Sequence, residues 1–142
     1  MNMLLVEDDH GMQQLFLAML NIWKFDVTAF SNGEQVLSWI DGIDDSVEPY
    51  TLPLLAIIDM RLPGDISGDL IVRRLRRHPL LRNIAIALTT TYRLPAQEEM
   101  LLYQIGADRI IYKPLPPMST LRNILLDMIA SRRGAGFSPV TL

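Results

Sequence analysis

Leu54-Leu55-Ala56-Ile57-Ile58-Asp59-Met60-Arg61-Leu62-Pro63-Gly64 is the stretch that decides the fold. Five apolar residues in a row, between Pro53 and a Pro-Gly turn, lack the alternation of a half-exposed strand. They predict a strand buried on both faces, the signature of a parallel sheet covered by helices. Asp59 then stands at the carboxyl edge of that sheet, where open α/β folds place their ligands. Two further apolar runs end in charge. Met3-Leu4-Leu5-Val6 leads into Glu7-Asp8-Asp9, and Arg109-Ile110-Ile111-Tyr112 leads into Lys113-Pro114. An acidic cluster, a lone Asp and a lone Lys at three strand ends are suited to binding a divalent cation and a phosphoryl group.

The rest of the chain alternates strands with amphipathic helices. Met12, Leu15, Phe16, Met19 and Trp23 repeat at helical spacing and precede a second strand at Val27–Phe30. Ser31-Asn32-Gly33-Glu34 has the spacing of a capping box and opens a helix with Val36, Leu37 and Ile40 inward. An acidic loop covers Asp41–Thr51, and after Asp59 a helix is expected around Leu70–Arg77. Ile84–Leu88 forms a fourth strand ending in Thr89-Thr90-Thr91. A helix from Pro95 to Ile105 stops at Gly106, a favoured residue just past a helix end. Leu121, Ile124, Leu125, Met128 and Ile129 mark the last helix. Five β-then-α units predict a flavodoxin-like (βα)5 doubly wound parallel sheet in the order 2-1-3-4-5, with Asp8 and Asp59 facing each other across the switch point. The domain is expected over 1–132, with 133–142 a tail or the start of a linker.

Composition agrees. The 142 residues are 49% hydrophobic and 20% charged, enough for one well-cored domain. No apolar run approaches the ~20 residues of a membrane span, and the N-terminus has no secretory pattern. The chain has no cysteine, which removes disulfides and thiolate metal sites and fits a cytoplasmic setting. A net charge of −3 argues against direct nucleic-acid binding by this segment.

With these elements placed, the chain resembles the receiver domain of bacterial two-component response regulators. The matching residues are Leu4-Leu5-Val6-Glu7-Asp8-Asp9, Ile57-Ile58-Asp59-Met60-Arg61-Leu62-Pro63-Gly64 with Gly68, Ala87-Leu88-Thr89-Thr90, and Gly106-Ala107-Asp108 through Lys113-Pro114. Together they cover roughly residues 2–132. The resemblance implies a phosphoacceptor that takes a phosphoryl group onto Asp59 from a sensor histidine kinase or a phosphotransfer protein. Such a domain is a signalling module, assisting only its own phosphorylation and dephosphorylation. Mg²⁺, or another divalent cation such as Mn²⁺, would be held by Asp8 and Asp59, by the backbone carbonyl of Arg61, and by Glu7 through water. Asp9 would cap the first helix. Lys113, on a peptide that is cis in this family, would pair with Asp59 at rest and with a phosphoryl oxygen after transfer. Of the three threonines, counting forward from Asn83 selects Thr90, counting back from Lys113 selects Thr91, and matching Ala-Leu-Thr selects Thr89. The strand register favours Thr90 as the hydroxyl that reads the phosphorylated state. A homodimer, where one forms, would use the face of helix 4, strand 5 and helix 5.

Departures from the pattern are also legible. Ile110 stands where many receivers carry an aromatic side chain, and Tyr112 does not restore it. The Asp59-to-Gly68 spacing is one residue longer than the commonest. The alternative function is therefore a degenerate receiver that docks proteins without phosphate. A phosphatase of the haloacid-dehalogenase type needs a second Asp two residues after the nucleophile, where this chain has Arg61. Arg73, Arg74, Arg76 and Arg77 read as a solvated helix face, and His10 and His78 lack a ligand set.

Overall fold

The computed structural model describes residues 1–136. Five parallel strands, β1 (Asn2–Val6), β2 (Asp26–Phe30), β3 (Leu55–Asp59), β4 (Ala85–Thr90) and β5 (Arg109–Tyr112), lie in the order β2-β1-β3-β4-β5. They alternate with α1 (His10–Ile22), α2 (Gly33–Asp41), α3 (Gly68–Arg77), α4 (Ala96–Ile105) and α5 (Met118–Gly136). The doubly wound sheet predicted from the apolar runs is the one observed.

Alternation along each strand divides the core in two. Leu4, Val6, Ala56, Ile58, Ile86, Leu88 and Ile110 pack with Val36 and Ile40 of α2, Ile71, Val72 and Leu75 of α3, and Leu102 of α4. Met3, Leu5, Leu55, Ile57, Ala85, Ala87 and Ile111 pack with Phe16, Met19 and Leu20 of α1 and with Leu121, Leu125, Met128 and Ile129 of α5. Every residue of β3 is buried, as its unbroken apolar run requires. None of the described helices is long and apolar enough to cross a membrane.

Three local expectations are corrected. The cap of α2 is Asn32, not Ser31: Asn32 Oδ1 accepts from the Gln35 amide at 2.9 Å, while Gln35 Oε1 accepts from the Ser31 amide at 3.4 Å. The box is shifted one residue, because Glu34 instead reaches across to the Asp65 amide at 3.2 Å. Helix α5 continues through 133–136, which were expected to be tail. No proline intervenes before Pro139, and the two glycines, Gly134 and Gly136, each cost a helix only about 1 kcal/mol. The tail expected at 137–142 lies outside the described residues.

The third correction is Arg76. Val72, Leu75 and Arg76 share the inner face of α3, so this arginine points inward rather than into solvent. Its guanidinium donates to the carbonyls of Gly106, Arg82 and Ile84 and to Asp108 Oδ2 at 3.0 Å. Asp108 also accepts from Arg132 of α5 and from the Ile86 amide at 2.8 Å. Burial first, and the nearby Arg132 charge second, push the Arg76 pKa down to about 10 against the pull of Asp108. Gly106 completes this end of the sheet: its φ of 125° is open to glycine, and a Cβ there would lie 2.6 Å from the Arg76 side chain.

Candidate phosphoacceptor site

At the opposite, carboxyl edge the three charged strand ends converge. Glu7, Asp8 and Asp59 each offer a carboxylate oxygen, all within 4.8 Å of one another. Parallel pairing of β1 with β3, in which Val6 faces Ile58, brings the two acidic ends level. Lys113, just past β5, donates to Glu7 Oε1 at 2.8 Å and to Asp59 Oδ2 at 3.2 Å, and its peptide bond to Pro114 is cis. Asp59 Oδ1 accepts from the Arg61 amide at 3.0 Å, which fixes the carboxylate plane. Asp9 turns away and caps α1 by accepting from the Met12 amide at 2.8 Å, as expected of it. Gly68 underlies the acceptor: a Cβ there would sit 2.6 Å from the Asp59 carbonyl oxygen, so any side chain would push the strand end aside.

Glu7 is 1% exposed and Asp59 8%, whereas Asp8 is open to solvent. Burial, opposed by the Lys113 hydrogen bond and reinforced by Asp59, pushes the Glu7 carboxyl from 4.5 up to about 7. Burial alone would lower the Lys113 pKa, but Glu7 and Asp59 outweigh it and hold the ammonium above its ordinary value. Three carboxylates against one ammonium leave two negative charges when all are ionised (3 − 1 = 2). That excess, in a cleft of about 360 Å³ lined also by Arg61, Thr90, Thr91 and Tyr92, suits a divalent cation with oxygen ligands.

The sign of the pH dependence follows. Above pH 4.5 the unfolded chain has released the Glu7 proton that the cation-free folded chain keeps to about 7. Glu7 therefore makes a stability contribution that is fully present below pH 4.5 and lost as pH rises to about 7. Melting curves without divalent cation should show that decline, and Glu7→Gln should flatten it.

The threonines separate by burial and partners. Thr90 lines the cleft, and its Oγ1 accepts from the Tyr92 amide at 3.2 Å. Thr89 pairs in register with Asp59 but is absent from the cleft lining, and its buried Oγ1 has no hydrogen-bond partner among the described residues. An orphan buried hydroxyl costs roughly 1–3 kcal/mol. Thr89→Val keeps the shape and removes that cost, so it should stabilise the chain by about 1 kcal/mol in urea titrations.

The profile of the response regulator receiver domain matches residues 3–125. The chain belongs to this family. It is 30% identical over 121 residues to the transcriptional regulatory protein BaeR of Escherichia coli, covering 85% of this chain and 45% of that protein. It is 32% identical over 111 residues to the sensory transduction protein BceR of Halalkalibacterium halodurans, covering 78% of this chain and 42% of that one. The chain thus spans less than half the length of both relatives. Among solved structures, the receiver domain of the sensor histidine kinase PA1611 from Pseudomonas aeruginosa is 26% identical, with a TM-score of 0.74 over 91% of this chain and 97% of that one. That domain holds a magnesium ion in its active site cleft. In this receiver the cleft is also lined by Met12 and Tyr92, which sequence reasoning leaves out of the site. Tyr92 stacks on the Arg61 guanidinium, 4.1 Å from ring centroid to Cζ. Its aromatic character next to the Thr run was the available signal.

Proposed function

We propose that the chain is a phosphoacceptor switch in which Asp59 receives a phosphoryl group from a sensor histidine kinase or a phosphotransfer protein. The observation that carries this reading is the meeting of Glu7, Asp8, Asp59 and Lys113 from three separate strand ends. Asp59 attacks phosphorus in line, and an O–P bond forms while the donor's bond to phosphorus breaks, its electron pair leaving with the imidazole or acetate. Lys113, already 3.2 Å from Asp59 Oδ2, is placed to turn to a phosphoryl oxygen. Thr90 supplies the hydroxyl that senses the transferred group. Asp8, Asp59, the Arg61 carbonyl and, through water, Glu7 would hold Mg²⁺ or Mn²⁺, which when bound neutralises phosphoryl oxygens. The same cleft would support slow loss of its own phosphoryl group. The signalling unit ends near the close of α5, and a cytoplasmic setting fits its partners.

Intact mass after incubation with acetyl phosphate, with and without Mg²⁺, tests the reading. The expected result is one phosphoryl group gained only with Mg²⁺; no gain under either condition would instead support phosphate-independent docking. Dimerisation through α4, β5 and α5 is supported by the exposed Met100, Leu101 and Tyr103 on α4. Sedimentation should show stronger association with beryllofluoride, and identical association with and without it would remove that face.

A further inference from the structure

Tyr112, the last residue of β5, ties two other segments together. Its phenol donates to the Glu99 carboxylate in the first turns of α4 and accepts from the Leu94 amide at 3.3 Å. The Arg93 guanidinium lies over its ring, 4.6 Å from the centroid. Helix α4 needs such a clasp, because Leu102 is its one buried residue. The loop at 91–95 is thus pinned by two hydroxyls, Thr90 Oγ1 on the Tyr92 amide and Tyr112 Oη on the Leu94 amide. Thr90 and Tyr112 are register partners on adjacent strands, joined further by the Lys113 amide donating to the Thr90 carbonyl at 2.8 Å.

We propose that Tyr112 is the positioning residue that holds the 91–95 loop and the start of α4 in the resting arrangement and opposes occupation of Asp59. The inference rests on the reading of Asp59 and Thr90 given above. For the Thr90 hydroxyl to donate to a phosphoryl oxygen it must turn from the Tyr92 carbonyl, 3.5 Å away, towards Asp59, and the loop, tied to Oγ1 through the Tyr92 amide, moves with it. Leu94 is two residues further on, so the same movement strains the Tyr112 clasp, and Glu99 carries the effect into α4. Ile110, buried and β-branched, has neither a polar group nor spare rotamers for this task.

Linkage sets the sign of the effect. A contact made only in the resting state weakens ligand binding to the other state, and removing it must strengthen that binding. Tyr112→Phe keeps the ring and deletes the hydroxyl. Glu99→Ala breaks the same clasp from the partly exposed first turn of α4, without touching the sheet or its core. With Mg²⁺ and beryllofluoride as the probe, both variants should bind beryllofluoride roughly three- to tenfold more tightly than the unmodified chain. Amide exchange over 92–103 should rise in both variants before beryllofluoride is added, and in the unmodified chain only after it. A merely structural role would leave affinity unchanged or weaken it, and either result in both variants overturns the proposal. Absence of beryllofluoride binding by the unmodified chain would overturn the phosphoacceptor reading itself, and the clasp's role with it.

Discussion

Asp59→Asn will take up no phosphoryl group from acetyl phosphate, at any Mg²⁺ concentration, while keeping its fold. The amide is not a nucleophile of the required kind, and Glu7, which shares the burial and the Lys113 contact, is assigned to the cation through water rather than to the phosphoryl group. Loss should be complete rather than graded, because the step needs a covalent O–P bond from this one atom. Lys113→Ala gives the contrasting pattern. It removes the cation that bridges Glu7 and Asp59, so labelling should persist at a reduced rate while the response of the 91–95 loop is largely lost. Intact mass under mild conditions reads the labelling, and amide exchange reads the loop. Full labelling of Asp59→Asn would remove the mechanism.

Asp108→Ala is expected to be the most destabilising single change away from the site. It leaves Arg76 and Arg132 facing each other without their shared carboxylate and strips the Ile86 amide of its acceptor. Breaking one side of a buried ion pair costs about 3–5 kcal/mol, and partial solvent access to Asp108 brings the estimate towards 3. For a domain of this size that is a fall in Tm of roughly 6–12 °C. Asp108→Asn retains an acceptor for the Ile86 amide and should lose less. Equal melting curves for the unmodified chain and Asp108→Ala would show that the cluster contributes nothing.

The parts of this molecule legible in the sequence are those governed by period and punctuation. The unbroken run before Asp59 implies burial on both faces, and the charged residues after β1, β3 and β5 are brought to one edge by parallel pairing alone. Asp9 as a cap and Gly106 past α4 follow from local chemistry. What escaped depends on partners distant in the chain. Arg76 resembles its three basic neighbours until its face on α3 is set against Asp108, which lies 32 residues away. The Asn32 cap was displaced from Ser31 because Glu34 finds Asp65 rather than its own helix terminus. Tyr112 was compared with the position of Ile110, when its role depends on Glu99 and Leu94. The choice among Thr89, Thr90 and Thr91 turns on a one-residue register: both Thr90 and Thr91 line the cleft, and Thr90 differs in being buried and in bonding the Tyr92 amide.

The most direct measurement of the central claim is chemical mapping of the acceptor. The chain is incubated with acetyl phosphate and Mg²⁺, reduced with borohydride, which converts an acyl phosphate into an alcohol, and digested for peptide mass analysis. Homoserine is expected at position 59 and at no other aspartate, dependent on Mg²⁺ and absent from Asp8→Asn or much reduced there. Reduction at Asp8 or Asp9, or a phosphoryl group that survives borohydride on a hydroxyl residue, would contradict it.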